Sequence, residues 1–289
     1  MQGRAGTIAV VASLVLTLVA AAPVHAQPAK QIREDKQIRE DKQVREETGV
    51  FAIDCDRTQR KPIDPLGRAG RRNLSHLHDF FGARRIFASS RPADLSRGPH
   101  SCSLAEDHST YWMPTLLNHG RVQEGDALQI YYYLEKGAQA IPRGLIMVAG
   151  DAGRRGGTNP QWSSWSCQQS SDYGQTNPPP CNADGWYLAE IDFPSCWDGR
   201  HLDSADHTSH MAYPTEDGCP ASHPELLAKV VMFRNFSQYE GLLDDIQLSS
   251  GPPAGLHADF VSGWRPEDFA RLIAACGSRD CGHLKAMPS

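Results

Sequence analysis

A mainly β fold is predicted, a single disulfide-bonded β-sandwich-like domain with long loops and a short C-terminal helix, and three observations predict it. Short segments rich in β-branched and aromatic residues recur along the chain, whereas only one stretch has helical periodicity. All eight cysteines fall beyond an N-terminal apolar run, an even number in a chain expected to be exported. The 289 residues, 40% hydrophobic and 22% charged, have a globular composition and can bury a real core in one domain. A formal net charge of -5 lacks the basic footprint that neutralises phosphates, so no nucleic acid partner is expected.

Residues 1–26 read as a signal peptide. Arg4 carries the positive charge, Ala5 to Ala22 is apolar and uncharged, and Pro23 and Val24-His25-Ala26 follow with small residues at the cleavage-determining positions. A run of this length is also long enough to be read as a retained anchor, but Pro23 and the cleavage signature favour removal. A secreted protein, extracellular or periplasmic, with no membrane contact after cleavage is expected. Residues 27–49 read as a charged hexapeptide-repeat linker, with Gln-Ile-Arg-Glu-Asp-Lys twice from Gln31 and then Gln-Val-Arg-Glu-Glu-Thr. A period of six drifts around a 3.6-residue helix, so Ile32, Ile38 and Val44 form no seam. The stretch is expected to be a surface helix or a solvated spacer. Residues 50–289 then form the β-rich domain, expected to be a monomer.

Within that domain strands are predicted at 51–53, 128–134, 145–149, 186–193, 230–236 and 256–261. The helix is predicted from Pro266, with Phe269, Leu272, Ile273 and Cys276 on one face and Gly277 as its cap. The segment from Gly150 to Pro180, rich in Gly, Ser, Asn, Gln and Pro, reads as a disulfide-pinned surface loop. Its Trp162 and Trp165 are read either as loop packing or as a sugar-stacking platform. The shortest closures pair Cys167 with Cys181, Cys196 with Cys219, and Cys276 with Cys281, leaving Cys55 with Cys102. A thiolate metal site is disfavoured because the Cys-x-x-Cys spacing is missing.

Histidine marks the chemistry: most of the 12 fall in three clusters. In Ser75 to Gly82, extended backbone puts His76 and His78 on one face and Leu77 and Asp79 on the other, and two imidazoles so spaced can grip one ion. The run from Asp203 to Pro214 holds Asp203, Asp206, His207, His210 and Tyr213, and in the third cluster His257 and Asp259 share a strand face. Two mechanisms fit. In the first, three or four of His76, His78, His207, His210, His257 and Asp259 hold one divalent metal ion with an open position. In the second no metal binds, a histidine is the general base or acid, Asp206 or Asp259 orients it, and Tyr111 or Tyr213 moves a second proton. Paired-carboxylate hydrolysis through Asp203, Asp206 and Asp259 is a variant. Against these stands the plainer reading that an Asp-x-x-Asp-His run is a turn whose side chains bind their own backbone. His100, His108, His119, His201, His223 and His283, taken singly, read as structural or surface residues.

These residues carry a resemblance. His76-Leu77-His78-Asp79-Phe80-Phe81-Gly82, Tyr111-Trp112-Met113-Pro114-Thr115-Leu116, Phe193-Pro194-Ser195-Cys196-Trp197-Asp198-Gly199, Asp206 to Pro214, Leu248-Ser249-Ser250-Gly251 and His257-Ala258-Asp259-Phe260 resemble the DUF1996 family, in that order, from about Phe51 to Cys276. The resemblance implies a secreted domain of fungi and bacteria, sometimes joined in fungi to carbohydrate-binding WSC modules, and so points to polysaccharide surfaces. It brings no assigned activity. Tyr111, Trp197 and Asp198 lie in the shared blocks and join the candidates.

The expectation is therefore a secreted protein that acts on an extracellular polysaccharide as a glycoside hydrolase or polysaccharide lyase. The metal set is His76, His78 and His210; the catalytic set is His207, Asp206, His257, Asp259, Tyr111 and Tyr213; the substrate-binding set is Trp197, Asp198, Trp162 and Trp165. Two other readings stand beside it. One is a non-catalytic carbohydrate-binding protein that stacks sugars on its tryptophans, including Trp186. The other is a copper- or other metal-dependent redox or metal-handling protein, favoured by Met211 beside His210.

Overall fold

Leu128, Ile130, Tyr132 and Leu134 are buried while Gln129, Tyr131 and Tyr133 between them are only partly so, the period of two that makes this segment a strand with one face on a core. The computed structural model describes residues 48–67, 75–150, 162–167, 174–181, 185–237 and 243–288. The expected signal peptide and all but the end of the 27–49 linker lie outside the described residues.

In chain order the main strands are β1 (Gly49–Cys55), β2 (Arg57–Lys61), β3 (His78–Gly82), β4 (Thr110–Pro114), β5 (Leu128–Leu134) and β6 (Ile146–Gly150). They are followed by β7 (Ser163–Cys167), β8 (Trp186–Asp192), β9 (Lys229–Ser237), β10 (His257–Val261) and β11 (Asp280–His283). A six-stranded sheet has the order β11-β1-β5-β9-β8-β7, and a five-stranded sheet the order β2-β3-β4-β10-β6. The chain passes from one to the other at Asp56, between β1 and β2. Apart from the parallel β1/β11 edge, all these pairings are antiparallel.

The two sheets share one core. Phe51, Ile53, Ile130, Tyr132, Val230, Met232, Ala189 and Ile191 from the larger sheet meet Phe81, Tyr111, Met113, Met147, Ala149, Ala258 and Phe260 from the smaller one. The fold is thus mainly β and sandwich-like, as predicted. Among the described residues two short α-helices are added, α1 (Pro92–Leu95) and α2 (Pro266–Cys276), and α2 buries Phe269, Leu272 and Cys276. Four disulfides form, each the pairing that shortest closure predicted: Cys55–Cys102, Cys167–Cys181, Cys196–Cys219 and Cys276–Cys281.

The segment 150–180 departs from expectation. Within it Ser163–Cys167 is the edge strand β7, paired with β8, and all five residues are buried. Its serines hid the strand, because a polar sequence mimics a loop when disulfide and sheet neighbours, rather than its own side chains, exclude water. Trp165 is 0% exposed in the shared core and its indole N–H donates to the Pro253 carbonyl at 3.0 Å, so it is core and not a sugar platform. Trp165→Ala is expected to cost about 3–5 kcal/mol in chemical denaturation, the usual loss for a buried large aromatic.

The outer face of the smaller sheet carries the remaining apolar cluster: Phe80 of β3, Trp112 of β4, Ile146 of β6 and Val261 of β10, with Leu66, Ala83, Ile86 and Leu95 from the covering loops. His78 and Phe80 lie two apart on β3, as do His257 and Asp259 on β10, so each imidazole shares a face with its strand's i+2 residue. At Gly150, φ is +76°, and a Cβ would lie 2.2 Å from the Leu256 carbonyl oxygen. Glycine is what lets the end of β6 close against the start of β10 there.

Candidate metal centre

Three imidazoles meet at one end of this outer face. His76 precedes β3, His78 opens it, and His257 opens β10. Ring centroids are 4.1 Å apart for His76 and His78, 5.2 Å for His76 and His257, and 6.3 Å for His78 and His257. One ring nitrogen of each lies within 4.8 Å of the others. The ring of His78 is held by an Nδ1–H bond to the Ile63 carbonyl at 2.9 Å, and that of His257 by an Nδ1–H bond to the Gly255 carbonyl at 2.7 Å. A carbonyl only accepts, so each ring donates from Nδ1. Backbone carbonyls orient metal-ligating histidines in the same way. His76 Nε2 is buried with no hydrogen-bond partner among the described residues, a state that native proteins rarely leave unexplained.

The pocket favours the neutral form of His76 and His78. Burial, then the neighbouring His76 and His257, push His78 down to about 3. Burial also lowers His76, against the pull of the Asp64 carboxylate. The acids move the other way. Asp259 is raised well above its ordinary value by burial and by Asp64. Burial raises Asp64 too, although the Leu66 N–H, His76 and His207 oppose it. Two carboxyl groups therefore stand near the imidazoles, and burial makes both of them hold a proton more tightly than an ordinary carboxyl does.

Asp64 was not among the predicted residues. It lies in Pro62-Ile63-Asp64-Pro65 and accepts the Leu66 N–H at 3.0 Å, a turn with no periodicity to single it out. Its two prolines were the only available signal. His207 acts on Asp64 electrostatically. Its φ is +59°, and its Nδ1 lies 2.7 Å from Asp203 Oδ1, so Asp203 is the group that orients it. The first and third histidine clusters thus converge, and from the second His207 acts electrostatically on Asp64.

The other candidates are placed elsewhere. His210 leaves the ligand set: Nδ1 lies 2.8 Å from Ser204 Oγ and Nε2 2.8 Å from the Ile146 carbonyl, so both nitrogens are spent tying its loop to β6. Met211 packs in the shared core, which removes the thioether argument for copper. Tyr111 is on the inner face, since one step along β4 reverses the side chain. Its hydroxyl donates to Asp107 Oδ2 at 2.7 Å and contacts the Tyr132 hydroxyl, which accepts the Trp264 indole N–H at 2.9 Å. Tyr213 donates its hydroxyl to the Asp192 carbonyl at 2.9 Å, and its ring stacks on Trp162 at 4.1 Å with an interplanar angle of 15°.

Asp206 accepts the Thr208 and Ser209 N–H groups at 3.1 and 2.9 Å and the Ser204 hydroxyl at 2.8 Å, so it is the turn residue of the plainer reading. Trp197 is partly buried and its indole N–H donates to the His201 carbonyl at 2.7 Å. Asp198 accepts the Arg200 and His201 N–H groups at 2.8 and 2.9 Å. Desolvation, the largest single influence, raises its pKa, but the His201 backbone and ring and the Arg200 N–H together outweigh it and hold the carboxyl at about 2. A depressed carboxyl contributes order above its ordinary value and loses it as pH falls through the folded value. The amide resonances of Arg200 and His201 are therefore expected to keep their folded shifts at pH 4 and to lose them near pH 2; loss already at pH 4 would contradict the assignment.

The sequence model of a family described as a domain of unknown function, DUF1996, matches residues 64–264. No curated protein and no solved structure matches the chain. The matched stretch begins at Asp64 and takes in His76, His78, His207, His257 and Asp259.

Proposed function

We propose, for a chain that belongs to the DUF1996 family, that His76, His78 and His257 hold one divalent metal ion and that this centre cleaves glycosidic bonds of an extracellular polysaccharide. The observation that carries the reading is the set of three ring nitrogens, one each from His76, His78 and His257, within 4.8 Å of one another, together with the buried Nε2 of His76, which has no hydrogen-bond partner among the described residues. Neutral imidazoles suit zinc, copper, iron and nickel, and three protein ligands leave a position for substrate. The bound ion would supply Lewis acidity toward a sugar oxygen. In this reading Asp259, whose proton burial holds more tightly, gives a proton to a leaving oxygen, and Asp64 takes one. In the same reading His207, oriented by Asp203, exchanges protons with Asp64.

Four disulfides suit an oxidising compartment, which supports the secreted reading, and no helix among the described residues is long and apolar enough to cross a membrane. The Trp162–Tyr213 stack favours a second reading, a protein that only binds sugar rings. Elemental analysis of untagged protein is expected to find one metal ion per chain. Incubation with a polysaccharide panel is expected to release new reducing ends, and absorbance from unsaturated sugars would mark β-elimination rather than hydrolysis. His78→Ala should abolish release. Metal-free protein with undiminished release from His78→Ala sinks the metal centre, and binding with no release favours the second reading.

A further inference from the structure

Beyond the histidine pocket the covering loop from Ala83 to Pro99 carries four arginines, Arg84, Arg85, Arg91 and Arg97, against one aspartate, Asp94, in a chain whose net charge is -5. These residues line one open cleft of about 580 Å³. Its two legs are fixed by backbone: the Arg84 N–H donates to the Pro99 carbonyl at 3.0 Å, and Ala83 bridges His100. Arg84 spends its Nε on the His100 carbonyl, and Arg91 faces Asp94 at 3.3 Å. Arg85 and Arg97 are exposed and make no ion pair or side-chain hydrogen bond among the described residues. Phe87, 57% exposed, lies in the same lining.

A lysine links the cleft's loop to the strand that carries His78. Lys61 is the register partner of His78 across β2 and β3, and its ammonium donates to the Ile86 carbonyl at 2.9 Å and lies 5.0 Å from the Phe87 ring centroid. One lysine side chain thus spans from the strand position beside His78 to the cleft. Guanidinium forks match carboxylate and sulfate geometry, and an exposed ring offers a stacking face for a sugar. Unpaired cations on a net acidic molecule also concentrate anionic ligands locally.

We infer that this cleft is a binding subsite for an anionic glycan, one bearing uronate carboxylates or sulfate esters, whose chain continues toward the histidine centre. The class of ligand rests on the polysaccharide reading above. The test is calorimetric titration of the full mature chain with polygalacturonate, a sulfated galactan and a neutral β-glucan, at low and raised salt. Either anionic polymer is expected to bind more tightly than the neutral one and to weaken as salt rises, and the tighter of the two identifies the charged group. Arg85→Gln/Arg97→Gln should lose affinity about tenfold or more, the effect of about one lost charged hydrogen bond, with thermal midpoint and metal content unchanged. Equal affinity for the neutral polymer, an unchanged double variant, or equally tight binding of duplex DNA or anionic vesicles through the same arginines would overturn it. A chain without metal that still binds anionic polymer in the arginine-dependent way would sink the metal centre and leave this subsite standing.

Discussion

Asp79→Asn is expected to destabilise the protein by about 3–5 kcal/mol, a large share of the roughly 5–15 kcal/mol that holds a typical domain folded. Asp79 faces inward from β3, where Arg234 of β9 donates to its Oδ2 at 2.7 Å, Arg60 Nη2 donates at 3.0 Å, and the Thr115 hydroxyl donates to Oδ1 at 3.0 Å. This cluster ties the two sheets through the core. Arg234 is 1% exposed, between Phe81 and Phe236 with its guanidinium carbon 4.8 and 5.2 Å from their centroids. Its Nε and Nη2 have no hydrogen-bond acceptor among the described residues. Removing the carboxylate leaves a buried cation uncompensated, whereas replacing both partners by apolar residues of similar volume is expected to cost far less.

The pH dependence follows the same cluster. Burial alone would raise the Asp79 carboxyl, but the Arg60 hydrogen bond and the charges of Arg234 and Arg60 pull it below its ordinary value. The contribution is therefore complete above the ordinary carboxylate range and lost as pH falls below it. Urea midpoints from pH 7 to 3 should fall more steeply for the native chain than for Asp79→Asn. Parallel curves would refute the assignment.

A saturating divalent ion is expected to stabilise the native chain, by about 2.7 kcal/mol when the ion is at 100 times its Kd, because only the folded state brings the three rings together. His78→Ala and His257→Ala should lose this gain, with metal affinity falling about 100-fold or more, beyond what outer-shell changes cost. His210→Ala should behave differently. It frees Ser204 and the Ile146 carbonyl and lowers stability with or without metal, while the metal-dependent increment persists. Thermal melts of the variants with and without zinc separate the two patterns, and an intact increment in His78→Ala would remove it from the ligand set.

Much of this was legible in the residues. Period-two alternation at 128–134 located a central strand, the Pro266 to Gly277 signature located α2, and shortest closure found all four disulfides. The i, i+2 spacing placed His76 beside His78 and set Asp79 on the opposite face. Local pattern was silent on partners. His210 looked as able to bind metal as His257 until the Ile146 carbonyl took its Nε2, and Tyr111 looked like a pocket residue until register put Trp112 outward instead. Asp64 had no pattern at all.

What the chain determined by itself is what depends on near neighbours: strand periodicity, helix ends, cysteine closures and the face on which each imidazole lies. Tertiary structure alone decided which faces meet. His76 and His257 are 181 positions apart, as the numbering shows, and only the antiparallel seating of β10 between β4 and β6 brings their rings to 5.2 Å. The reason is that a side chain's direction follows from its own backbone, whereas its hydrogen-bond partners and its dielectric follow from whichever strands the fold lays beside it.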